Sequence, residues 1–272
     1  MAFSGPIDKQ LNHEVEGMLK RFPDGLLPIV SLGEPVLRAE WQEYTGQLSS
    51  KTLAKLIKAM RKTMVEAPGV GLAAPQIGLP LAFAVVEDHV VDLSDLDAQD
   101  YQSDSSLDAN SSSAAGSDVD EAFDAEAFDA EDYEDEDYDE DYDGEELDML
   151  TPQNDPREVA EFPFHVIINP VYKPIGEKTA SFYEGCLSMP GYQAVRKRWL
   201  DIEATWYDEK GMKHSENLHG WPARIFQHET DHLSGEVYID KAETRSLATD
   251  ENLGELWWDP RLMDEARATL GF

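Results

Sequence analysis

Cysteine is almost missing from this sequence: Cys186 is the only one in 272 residues. No disulfide can form within the chain, and a reducing compartment suits it. Basic residues are scarce and unevenly spread. None occurs from Thr63 to Pro156, while Asp92 to Asp155 carries 26 Asp and Glu. The formal charge of −34 comes from 22 basic and 56 acidic residues. Setting the acidic run aside leaves 22 against 30, the balance of an ordinary, mildly acidic protein. Direct DNA binding is not expected, because phosphate contact needs clustered Lys and Arg, and any RNA contact would have to be local. Uninterrupted apolar runs are missing as well. Ala67 to Val86 is uncharged and long enough to raise the membrane question, but Pro68, Pro75, Pro80, Gly69, Gly71 and Gly78 break it up. The opening residues, MAFSGPIDKQLNHEVEG, lack the basic region and apolar run of a secretory signal. These absences together lead to the expectation of a cytoplasmic protein with no membrane segment.

What is present reads as one domain, residues 1–272, with an acidic insertion at 89–157. The insertion is rich in Asp, Glu, Ser and Ala and close to repetitive, so it is expected to be solvated and disordered. A polyanion that repels ribosomal RNA, attracts basic nascent chains or binds calcium weakly is the functional alternative. Leu53, Leu56, Ile57, Met60 and Met64 fall three and four apart, which predicts an amphipathic helix over 50–66 with Ser50 as its cap. Strands are predicted at Leu81–Val86, at Phe162–Tyr172 and through Ser181–Met189. Ile202, Ala204 and Trp206 alternate with polar neighbours, and the turn residues Asp208–Gly211 predict a hairpin returning over Met212–Leu218. A helix is expected from Pro222 to about Leu233, with Gly235 past its end, and a last one from Asp259. Strands in the middle and helices toward the ends, without regular alternation, indicate an α+β fold.

Three segments carry chemistry. In QHETDHL, His228 and His232 stand four apart on the expected helix, so both imidazoles share a face and can grip one metal ion. Glu229, next to the first, can then act as general base on a water at that metal. Two histidines so spaced can also decorate the surface of an amphipathic helix. Cys186, in EGCLS, is a candidate third ligand, although a lone cysteine is more often a small buried apolar group. GVGLAAPQ, Gly69 to Gln76, combines glycines that let a backbone approach with an amide donor. It lacks the ending of a phosphate-binding loop and would serve equally as a structural turn.

In this order and with this content, GVGLAAPQ, EGCLS and QHETDHL resemble the peptide deformylases of bacterial type. The resemblance covers Leu27–Val86 and Phe162–Asp240. It implies small antiparallel sheets packed around a central helix that carries the H-E-x-x-H motif, followed by a C-terminal helix. It also implies one divalent metal held by Cys186, His228 and His232, ferrous iron in the cell, with nickel, cobalt or zinc able to substitute. The implied reaction is hydrolytic removal of the formyl group from N-formylmethionyl nascent peptides, with Glu229 as general acid and base. Gln76 and the Leu187 backbone N–H would stabilise the oxyanion. Gly71 would pair with the substrate backbone, and Trp221 and Ile225 would wall the methionine pocket. The ribosome near its exit tunnel is a further candidate partner. One departure is Gln193, where many members of the family carry Arg; Arg196 and Arg198 follow it. Two competing readings are a zinc peptidase, which shares H-E-x-x-H, and a catalytically silent deformylase-like interaction protein.

Overall fold

The computed structural model of this chain describes residues 3–39, 41–90 and 149–272. Its elements are α1 (Lys9–Arg21), α2 (Ser50–Glu66), β1 (Gly71–Ala73), β2 (Phe83–Asp88), β3 (Phe162–Pro174), β4 (Thr179–Glu184), β5 (Tyr192–Trp199), β6 (Asp201–Tyr207), β7 (Lys213–His219), α3 (Gly220–Leu233), β8 (Ala248–Thr249), α4 (Asp250–Leu256) and α5 (Met263–Leu270). All of them belong to one compact unit, Met1–Leu93 with Leu150–Phe272. Within the expected disordered insertion, 91–148 lie outside the described residues. The described end of that interval departs from the expectation. Asp155 is buried and accepts hydrogen bonds from the backbone and guanidinium of Arg157, so order resumes before 157.

Two antiparallel sheets form the frame, one in the order β1-β2-β3-β6-β7 and one in the order β4-β5-β8. The strands on either side of the insertion pair directly, Phe83 with Ile168 and Val85 with Val166. Period-two alternation sorts their side chains onto two faces. Phe83, Val85, Val166 and Ile168 join α1 and α2 in one apolar cluster. Ala84, Val86 and Ile167 join Ile202, Ala204 and Trp206 against Ala223, Ile225 and Phe226 of α3. Burial on both faces explains why LAFAVV reads as an unbroken apolar run.

The α+β expectation and the central helix both hold. α2 begins as predicted, but its cap is Ser49, whose hydroxyl accepts the backbone N–H of Thr52 at 3.2 Å. Most of α3 is buried, including Gln227, Glu229, Asp231 and His232. A helix with polar groups on its inner face needs partners for them, and these partners build the site.

Candidate active site and metal centre

His228 and His232 lie one turn apart on α3, their ring centroids 4.9 Å from each other. The turn after β4 brings Cys186 across to them, its Sγ 3.3 Å from His232 Nε2. One ligand atom from each of the three residues lies within 4.8 Å of the others. A thiol and two imidazoles at this spacing fit a divalent ion that takes N and S ligands and keeps a position open. His228 Nδ1–H donates to Glu184 Oε2 at 3.1 Å, which leaves its Nε2 available as a ligand. Burial works against charge on His228, but the hydrogen bonds it donates to Cys186 and Glu184 outweigh it and push its pKa up to about 10, so a metal taking Nε2 must displace a proton.

Gln76 sits in the 3₁₀ turn Ala74–Ile77 that follows β1. The Ala73 backbone N–H donates to its Oε1 at 2.8 Å, which fixes the amide so that Nε2 faces Cys186 Sγ, 3.5 Å away. Glu229 is buried, and its Oε2 has no hydrogen-bond partner among the described residues. Burial pushes its carboxyl from the ordinary 4.5 up to about 7. Gly71 explains itself here: a Cβ at that position would lie 2.2 Å from Glu229 Oε1. Gly69 faces Leu187 in the same way, a Cβ there meeting Leu187 Cδ1 at 2.8 Å. The glycines of GVGLAAPQ therefore let the loop close over the carboxylate and the Cys186 turn.

Gly69, Gly71, Gln76, Cys186, Leu187, His228 and Glu229 line one cleft of about 700 Å³, with Trp221 and Ile225 in its wall, while His232 is buried behind them. The ordered end of the insertion reaches the same place, with the Arg157 guanidinium 5.1 Å from the Trp221 ring centre. Gly220, at the start of α3, has φ +61°, and a Cβ there would strike the Glu158 carbonyl at 2.4 Å.

A charge network stands behind His228 and Cys186, and the sequence motifs did not assemble it. Arg198 donates to both Glu184 oxygens at 2.8 Å and also pairs with Asp231. Arg224 donates to Glu184 at 2.5 Å, and Arg196 pairs with Asp231 at 3.0 Å and with Glu236. Burial alone would raise the Glu184 carboxyl, yet Arg198 holds it well below the usual range. Arg196 and Arg198 are thus buried in this network and do not line the cleft. The signal was present in their two-residue spacing on β5, which puts both on one face.

A buried helix with two imidazoles turned toward a thiol, and a carboxylate between them, is an arrangement that fits a metal-dependent hydrolase. Comparison with known proteins says which kind. Residues 26–100 and 131–247 match the polypeptide deformylase family. Peptide deformylase 1 of Bifidobacterium longum is 54% identical over 267 residues, 98% of this chain and 96% of that protein. Peptide deformylase 3 of Streptomyces avermitilis is 37% identical over 91% of this chain and 85% of its own length. A crystal structure of a peptide deformylase from Acinetobacter baumannii with Met-Ala-Ser bound shares the fold, with TM-score 0.53 and 22% identity over 79% of this chain and 98% of that one. The chain belongs to the polypeptide deformylase family. The likeness to the Bifidobacterium protein extends over the acidic insertion and both ends, which the three motifs alone did not reach.

Proposed function

We propose that Cys186, His228 and His232 hold the metal of a peptide deformylase, with Glu229 as its acid and base. The activity is that of the family: hydrolysis of the formyl amide of N-formylmethionyl peptides, giving formate and a free N-terminal methionine. The observation that carries the residue assignment is the convergence of the three ligand atoms within 4.8 Å beside a buried carboxylate whose Oε2 lacks a partner among the described residues. The ion we assign is ferrous iron, with nickel, cobalt or zinc as substitutes. When bound, it supplies Lewis acidity, polarising the formyl carbonyl and making water nucleophilic at neutral pH.

The protein's side chains supply the rest. Glu229 takes the proton of the attacking water and returns it to the leaving nitrogen. A carboxyl lifted toward 7 by burial suits both directions of transfer. Gln76, its amide fixed by Ala73, directs an N–H to the oxyanion, and the Leu187 backbone N–H is the second donor. β1 is an edge strand that borders the cleft, so an extended peptide can add to it at Gly71. Trp221 and Ile225 receive the methionine side chain. The acting unit is Met1–Leu93 with Leu150–Phe272, read as one domain interrupted by the acidic insertion.

No helix among the described residues is long and apolar enough to cross a membrane. We place the enzyme in the cytoplasm, acting on nascent chains near the ribosomal exit tunnel. Formate release from formyl-Met-Ala-Ser by anaerobically purified protein tests the reading. Turnover in the wild type and its loss in Cys186→Ser is the expected result. A wild type that binds metal stoichiometrically yet releases no formate would move the protein to the silent, interaction-module reading.

A further inference from the structure

The C-terminal segment forms one side of the cleft, and nothing in the reaction above uses it. β8 is hydrogen-bonded to β5, Thr249 opposite Tyr192 and Ala248 opposite Gln193. Gln193 Nε2 donates to Asp250 Oδ1 at 3.1 Å, and the Thr249 side chain caps the first turn of α4. Past the helix, Asp259 and Pro260 are buried. The segment is fixed at both ends.

Between those anchors α4 has no buried residue. Asp250, Leu253 and Trp257 nevertheless share one helix face, at spacings of three and four, and all three line the cleft. Trp258 lines it as well while 58% exposed, and so does Tyr192 at 44%. A seven-residue helix is too short to persist on its own propensity, so its anchors hold it where its apolar side faces open cleft and no core. The cleft itself names the occupant. Cys186, His228 and Glu229 line the same cavity, and a peptide whose formyl group reaches them must lead its following residues out through the remaining space.

Resting on the deformylase reading, we propose that Leu253, Trp257 and Trp258, with Tyr192 on β5, form a subsite for the side chains of residues two and three of the formylated peptide. Apolar and aromatic side chains there would bury these exposed rings, while an acidic one would meet the Asp250 carboxylate. Peptides with an aromatic third residue are the favoured substrates.

Initial rates for formyl-Met-Ala-Phe, formyl-Met-Ala-Glu and formyl-methionine amide, with wild type, Trp258→Ala and Trp258→Phe, test this. Trp258→Ala should lower kcat/KM for the Phe peptide about tenfold, mainly through KM, as losing an aromatic contact does. The loss should be smaller for the Glu peptide and under about twofold for the amide, which has no residues for the subsite to hold. Trp258→Phe should restore most of the preference. Equal losses on all three substrates, or no change on any, would overturn the subsite while leaving the deformylase reading intact. A wild type inactive on all three would sink the deformylase reading and the subsite with it.

Discussion

Against one face of the five-stranded sheet lie α1 and α2, whose inward residues are Val15, Met18, Leu53, Leu56, Met60 and Met64. Against the other lies α3, whose buried residues include Gln227, Glu229, Asp231 and His232 beside its apolar ones. The buried polar groups on the α1/α2 face are few and locally satisfied: Thr63 accepts from Leu27 N–H at 2.8 Å and donates to the Ala59 carbonyl at 2.9 Å. On the α3 side, Glu184, Arg196, Arg198, Arg224 and Asp231 are all buried and depend on one another. The contrast separates two tasks. The α1/α2 face supplies burial that needs no geometry beyond close packing. The α3 face accepts the desolvation cost of ions so that Glu184 holds the His228 ring in one orientation.

Four substitutions can break or sharpen that contrast. Arg198→Met should have the largest effect, because it leaves Glu184 and Asp231 short of a buried partner, at a cost of about 3–5 kcal/mol. Denaturant unfolding would measure the loss, and metal analysis should show a weakened site, since Glu184 also orients His228. Leu56→Ala, on the α1/α2 face, should cost about 3 kcal/mol through the cavity it leaves, yet keep one metal per chain and near wild-type kcat/KM below its melting temperature. Loss of metal in that variant would erase the distinction between the faces. Gly71→Ala should cost little stability but about a hundredfold in kcat, because its methyl group must displace the Glu229 carboxylate.

The smallest effect is a pH dependence. The hydrogen bond from Arg61 holds the Glu87 carboxyl below its ordinary 4.5. Its contribution is therefore complete above 4.5 and disappears as pH falls through the lowered folded value. Arg61 is about half exposed, so the pair is worth under about 1 kcal/mol after solvent screening. Glu87→Gln should flatten the decline in stability between neutral pH and acid by that amount, measured by thermal unfolding. A slope identical to wild type would show that the pair contributes nothing.

Much of the fold and of the site was legible in the sequence, for identifiable reasons. His228, Glu229 and His232 sit in a single helical stretch, where spacing alone sets their direction. Cys186 could be named as a candidate third ligand, but only the resemblance joined it and Gln76 to the helix, because their proximity depends on how β4 and the turn after β1 are placed. β5 escaped notice because Arg196 and Arg198 alternate inward with exposed Lys197, so a buried strand reads as a basic surface run. α1 escaped because Val15 and Met18 are its only buried residues. α4 buries none, so no apolar stripe marks it as part of a packed helix. The role of Gly71 against Glu229 was hidden for the same reason as the ion network: each is a contact between segments far apart in the chain.

If Cys186, His228 and His232 hold the metal while Glu229 alone carries the proton, metal content measured together with formate release in Glu229→Ala separates the two roles most directly. The account predicts one metal ion per chain, as in wild type, with formate release from formyl-Met-Ala-Ser reduced by a factor of at least about a thousand. Formate release within a few fold of wild type would contradict it, because Glu229 could then not be the group that moves the proton.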